Sequence, residues 1–285
     1  MLAEAWRYWT AFAPARVRRF GYLARLVALE FRARRCAAAW APHLAACRRA
    51  ILTAADHCAR RDLCLIVGSG LLLDVPLAEL AARFGRVMLV DMFHMPQVRR
   101  QVRPFKNVRL LSGDVTGMFQ MMKDGKVPGP QAGGPELPAP PARIPHLTEA
   151  DLAVSCNCLT QLAGPFVAHL EATRGFSDLD SDKLAYQIME HHARAFAEAA
   201  PDVGMIISDV ERYEFAKGEV ARRIDLLKAY TLPPPLNPAL SEEWDWLIAP
   251  AGEEGPDDIE HLVEAKLYTR DALPAAAPPP DSALS

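Results

Sequence analysis

The chain has 285 residues, 51% of them hydrophobic and 24% charged, with a net charge of −3. That composition belongs to a globular protein able to bury a full core, and no uninterrupted apolar run reaches the ~18 residues needed to span a bilayer. The first twenty residues lack the compact apolar segment and small-residue cleavage site of a secretory signal. We therefore expect a cytoplasmic protein whose six cysteines are reduced thiols rather than a disulfide framework.

The charge is unevenly spread. Residues 1–61 hold twelve arginines against Glu4, Glu30 and Asp56, a balance of +9 that leaves −12 for the remainder. Such a lobe can meet an anionic partner such as RNA, a phosphorylated metabolite or a membrane surface. Equally, it can be a solvated helix face or dock on its own acidic domain. Apolar residues at helical spacing, with Pro14 and Pro42 as breakers, predict helices over about 3–12, 15–40 and 42–60. Cys36, Cys47 and Cys58 recur every 11 residues, close to three helical turns, and would align only if one helix ran through Pro42.

From residue 62 the pattern changes to short β-rich runs separated by helical segments. Strands are expected at 64–67, 86–91, 107–114, 151–157 and 203–210, with helices near 75–84, 95–102 and 182–199. Alternation of this kind implies a parallel sheet covered on both faces by right-handed crossovers. The segment 124–145 carries seven prolines and four glycines and reads as a long loop. A helix near 217–229 should follow the fifth strand. Then 244–250 and 261–269, joined by a polar loop, form an antiparallel pair that completes a seven-stranded sheet. The tail 273–285 reads as disordered. This gives a helical N-terminal lobe (1–60), an α/β domain (61–272) and a tail.

Three strand ends carry the chemistry. VGSG (67–70) turns directly after the first strand, where the glycines Gly68 and Gly70 can let backbone pass close to a nucleotide-like ligand; a plain strand-to-helix turn is the alternative. Asp91 ends the second strand 23 residues after Gly68, where a carboxylate can accept hydrogen bonds from a ribose diol. Asp114 ends the third, within reach of an adenine amino group. All three point polar groups toward the carboxyl rim, where open parallel sheets bind ligands.

On these residues and the closing hairpin, the stretch 60–270 resembles the class I, Rossmann-like, seven-stranded S-adenosylmethionine-dependent methyltransferases. The resemblance implies an α/β doubly wound fold, S-adenosylmethionine as cofactor and methyl transfer to an unidentified acceptor. It assigns Gly68, Ser69 and Gly70 to the glycine-rich first motif, Asp91 to the ribose, Asp114 and Val115 to the adenine, and Met92 to the adenosine wall rather than His94. SCNCLTQL (155–162) takes the place beside methyl donor and substrate. Asn157 and Gln161 there either contact the cofactor or cap and brace the next helix. The chain departs from the family at Ile66, where an acid often stands, and at Leu72, where a third glycine often stands.

Catalytic candidates follow the fifth strand: Asp209, Glu211 and Tyr213, which can instead be a cap and surface pairs. His191 and His192 read as packed or exposed. Cys156 and Cys158 have the spacing of two thiol ligands but no second pair, so we expect no metal. Two other readings stay open: a binding scaffold that kept the fold without transfer activity, and an NAD(P)-dependent oxidoreductase, which the hairpin disfavours.

Overall fold

The computed structural model describes residues 2–127, 129–130, 136, 144–199, 201–227 and 239–269. The tail and most of the proline-rich segment lie outside these. Four helices come first: α1 (Leu2–Thr10), α2 (Ala15–Arg19), α3 (Tyr22–Arg35) and α4 (Ala37–Asp56). There follow β1 (Leu63–Val67), α5 (Leu77–Arg83), β2 (Arg86–Asp91), α6 (Pro96–Val102), β3 (Val108–Ser112) and α7 (Met118–Lys123). Next are β4 (Leu152–Cys156), α8 (Gly164–Arg174), α9 (Asp178–Ala199) and β5 (Val203–Ala216), then β6 (Glu219–Asp225), β7 (Leu240–Ala249) and β8 (Ile259–Thr269).

The sheet order is β3-β2-β1-β4-β5-β8-β7, with β1 to β5 parallel and the last two antiparallel. The fold is thus the expected doubly wound α/β type with a closing hairpin. One element differs: residues 219–225 are strand, not helix. They pair antiparallel with Glu211–Ala216 and add an eighth strand. The segment EVARRID alternates along an exposed ribbon, and β5 runs to Ala216 to meet it at the Lys217–Gly218 turn, where both residues take positive φ. Helix α8 has no counterpart among the expected elements: it opens on Gly164 and Pro165, residues that read as a turn.

Pro42 does not break α4. It sits in the second turn; Cys47 lies within α4, Cys36 is its N-cap and Cys58 follows its C-cap His57, and all three are buried. Side chains alternate cleanly along β1. Cys64 and Ile66 join the core beneath α4, while Leu63, Leu65 and Val67 join the opposite core with Phe196 of α9.

The arginine-rich lobe is docked on the acidic body. Arg35 reaches Glu253 at 2.6 Å, Arg32 pairs with Glu253 and Glu254, Arg49 with Glu242, and Arg60 with Asp151 at 2.9 Å and Asp202 at 3.3 Å. Trp40 Nε1 donates to the Ile248 carbonyl at 3.0 Å, tying α4 to β7. Among the described residues no helix is long and apolar enough to cross a membrane.

Candidate functional site

β1 lies between β2 and β4, so the chain leaves its carboxyl end toward one side and returns on the other. This is the switch point at which open α/β sheets form a crevice. A cavity of about 600 Å³ occupies it, roofed by α3 and α4 and lined mostly by apolar surface. Gly68, Gly70, Asp91, Met92, Asp114, Val115 and Asn157 all face it.

The two glycines of the first turn do different jobs. Gly68 has φ +79, and a Cβ there would lie 2.6 Å from Cys158 Cβ and 2.8 Å from the Cys156 carbonyl. Its bareness lets the turn pack against the end of β4. Gly70, φ +48, would place a Cβ in open space, with only the Gly68 carbonyl within 4 Å at 3.8 Å. This is the glycine that keeps the cavity wall clear. Leu72, at the position of the absent third glycine, adopts φ +61 nonetheless, its side chain buried in the core.

Ser69 does not face the cavity. Its hydroxyl lies 3.3 Å from His94 Nε2, and His94 Nδ1 lies 3.1 Å from Ser112 Oγ, a chain that runs from buried Ser69 and His94 out to exposed Ser112 and braces the ends of β1, β2 and β3. Burial pushes His94 down to about 4, so it is neutral. Asp91 Oδ2 accepts the Gly70 N–H at 2.7 Å, which fixes the carboxylate against the turn. Its burial raises its pKa against the opposing effect of those backbone donors. Asp114 holds its own turn: Oδ1 accepts from the Thr116 N–H at 2.8 Å and Oδ2 from the Phe119 N–H at 2.8 Å. It caps α7 at the cavity's edge.

Asn157 is no helix cap. With φ +47, it donates from Nδ2 to Asp74 Oδ2 at 2.7 Å and lies 3.3 Å from Cys47 Sγ. Gln161 lies 3.4 Å from the Asn157 carbonyl and braces the turn. Asp74 went unnoticed in the sequence. Its signal was an acid isolated inside GLLLDVP, six residues beyond Gly68. Burial raises its pKa while Asn157 lowers it. Ile66, the position of the absent acid, is wholly buried in apolar core, where a carboxylate would have no partner.

Three further residues face the cavity from the helical roof. Tyr22 is half-buried near Asp114 and Asp91, and desolvation first, then those carboxylates, push its phenol far up, so it stays protonated. His43 stacks on Trp246 at 4.0 Å, and its Nδ1 accepts from Trp244 Nε1 at 3.0 Å. Burial lowers it to about 4, which leaves a neutral ring with hydrogen on Nε2. Arg25 is exposed, and among the described residues it has no ion pair.

Asp209, Glu211 and Tyr213 do not line the cavity. Asp209 Oδ2 lies 2.9 Å from His261 Nδ1, and Asp209 also accepts from Thr160. Glu211 takes Arg223 Nε at 2.8 Å and the Tyr213 hydroxyl on the projecting β5–β6 ribbon. The extension of β5, invisible as a strand pattern, carried these residues past the rim. His192 packs Nε2 against Ser155 Oγ at 2.9 Å, below the rim. The thiols of Cys156 and Cys158 are held up by burial, Cys158 at about 12, so both stay protonated.

No protein-family model matches the chain, and a search of curated proteins gives no match. Solved structures do match in outline. One is Burkholderia thailandensis 1,6-didemethyltoxoflavin-N1-methyltransferase with bound 1,6-didemethyltoxoflavin and S-adenosylhomocysteine: 15% identity, 78% of each chain, TM-score 0.37. Another is the N-methyltransferase NodS from Bradyrhizobium japonicum WM9, with S-adenosylhomocysteine: 11% identity, 79% of this chain and 86% of that one, TM-score 0.34. A third is a precorrin-8w decarboxylase from Methanobacterium thermoautotrophicum: 17% identity, 78% and 88%, TM-score 0.32. The strand order and the contents of the cavity therefore carry the functional reading.

Proposed function

We propose that this cavity binds S-adenosylmethionine and that the protein transfers its methyl group to an acceptor entering beneath α3. The observation that carries the reading is the convergence, at the switch point, of the Gly70 turn with two carboxylates, Asp74 from the loop after β1 and Asp91 from the end of β2, inside one apolar crevice. The volume suits a nucleoside with an amino-acid tail.

Bound there, the cofactor supplies a methyl group on a positively charged sulfur, already electrophilic. Asp91, pinned by Gly70, keeps lone pairs for two ribose hydroxyls. Met92 and Val115 wall the adenosine. Asp114 shapes that edge through its turn, because its oxygens are occupied by Thr116 and by the Phe119 N–H of α7. Asp74, oriented by Asn157, takes the cofactor's ammonium group and so does the work of the acid missing at Ile66. Burial makes each of these charge contacts stronger than it would be in water.

The residues on the acceptor side orient and exclude water more than they move protons. Tyr22 is a protonated donor, and His43 has its one free lone pair engaged by Trp244. Alignment and desolvation are thus the chain's contribution to transfer. Arg25 on the roof suits an acceptor with an anionic group.

Isothermal titration with S-adenosylmethionine tests the reading. We expect binding that Asp91→Ala abolishes. A thermal shift produced by NAD and not by S-adenosylmethionine would overturn it.

A further inference from the structure

Between Asp91 and Asp114 the chain has no acid, and within that stretch Arg99, Arg100, Arg103, Lys106 and Arg109 fall in eleven residues. The fold gathers them. Arg99 and Arg100 lie on α6 and Arg103 caps its end. Two tight turns, with the Phe105 N–H on the Val102 carbonyl at 3.0 Å and the Val108 N–H on the Phe105 carbonyl at 3.3 Å, then lead straight into β3. Arg109 reaches back to the Lys106 carbonyl at 2.7 Å. Because β3 is an edge strand, the cluster stands at the side of the sheet.

All five are exposed and, unlike the arginines docked on the acidic body, have no ion pair among the described residues. Arg100 and Arg109 bond carbonyls of their own segment, which leaves the charge unneutralised. The acid that meets α6, Glu30 at Gln97, is already taken by Arg7 and Arg34. Like charges one helical turn apart repel, as Arg99 and Arg100 do with Arg103, and a polyanion relieves that repulsion. No large apolar side chain is exposed between residues 92 and 113. A protein partner would need an apolar interface core and a membrane would need immersed apolar residues, and the cluster offers neither. A phosphodiester backbone needs only cations, and arginine, four of the five here, grips a phosphate through two parallel hydrogen bonds.

We propose that the α6–β3 edge is a docking surface for the phosphate backbone of a nucleic acid, held without regard to base sequence. The cluster lies outside the cavity: Arg109 stands four residues before Gly113 of the cavity wall, about 13 Å along the strand. Docking needs no cofactor, so its failure would leave the transferase reading standing.

The experiment is fluorescence anisotropy of the full chain with labelled 20-mers of RNA and DNA, single-stranded and duplex, the strongest binder identifying the source of the backbone. With five phosphates engaged, affinity should fall roughly 100-fold or more between 50 and 200 mM salt. Arg99→Ala/Arg103→Ala should weaken binding and lower the slope of log affinity against log salt by about 1.5, and Arg99→Glu/Arg103→Glu should abolish binding. Arg16→Ala/Arg19→Ala, which removes two exposed arginines lying over Phe119 and Phe20, should bind as the unaltered chain does. No binding to any 20-mer overturns the proposal, as does an equal loss in the Arg16/Arg19 variant. Labelled polyglutamate bound as tightly as the 20-mers, and released by the same α6 substitutions, also overturns it, since an acidic protein segment would then be the occupant.

Discussion

Replacing Gly68 and Gly70 singly by alanine separates packing from ligand binding. Both glycines lie at positive φ, where an alanine costs about 1–2 kcal/mol, offset by about 0.4–1 kcal/mol of lost unfolded-state freedom. At Gly70 nothing else is added, since the nearest atom to a Cβ is 3.8 Å away. That variant should lose about 1 kcal/mol or less. At Gly68 the new Cβ meets Cys158 Cβ at 2.6 Å and a backbone carbonyl at 2.8 Å, and relieving such overpacking adds about 1–3 kcal/mol. Gly68→Ala should therefore lose about 3 kcal/mol, or roughly 6–10 °C in Tm for a chain this size. The order reverses for the cofactor. Gly70→Ala places a methyl group in the cavity and should weaken S-adenosylmethionine ten-fold or more, about 1.4 kcal/mol, while nearly keeping its stability. Urea unfolding and isothermal titration on the same preparations read both quantities. Equal stability losses, or a Gly70→Ala protein that binds the cofactor normally, would refute the division of labour between the two glycines.

Asp74→Ala should weaken S-adenosylmethionine and S-adenosylhomocysteine alike by titration, since both carry the amino group it is proposed to hold; unchanged affinity for either would sink that role. Glu211→Gln and Tyr213→Phe should leave cofactor affinity unchanged, because both lie on the β5–β6 ribbon outside the cavity; a ten-fold loss in titration would return them to the site. Stability should fall on acidification. His43, His94 and His192 titrate near 4 when folded against an ordinary 6.5, so between these values the unfolded chain binds more protons. At pH 5 the loss is about 2 kcal/mol for each imidazole, partly offset by Asp74 and Asp91, whose raised carboxyls take up protons earlier in the folded state. Urea midpoints that do not fall between pH 7 and pH 5 would contradict this.

The parallel strands were legible because each is a short, fully buried apolar run, and Asp91 and Asp114 were legible because polar groups ending such runs stand out. Helix α4 was hidden by Pro42, which lies inside the helix and forgoes one backbone hydrogen bond, a cost offset by the burial of Trp40, His43, Cys47 and Ile51 on the same helix. The strand β6 was hidden because an exposed charged ribbon has no core-facing stripe to distinguish it from a helix. Asp74 was missed for a reason of geometry: its place beside Asn157 depends on the Leu72 backbone turning left-handed, a conformation that a leucine does not announce. Ser69 was assigned to the ligand by its position between two glycines, whereas its hydroxyl turns inward to His94.

The bonds joining Trp40 to Ile248 and Trp244 to His43 link residues 208 and 201 positions apart. During synthesis, the roof of the cavity therefore emerges about 200 residues before the hairpin that fixes it, which also brings Trp246, the ring stacked on His43. Closing so long a loop is slow. The nascent chain holds a basic, tryptophan-bearing helical segment with its core-facing side uncovered until β7 has followed, so the pocket closes only when the hairpin docks.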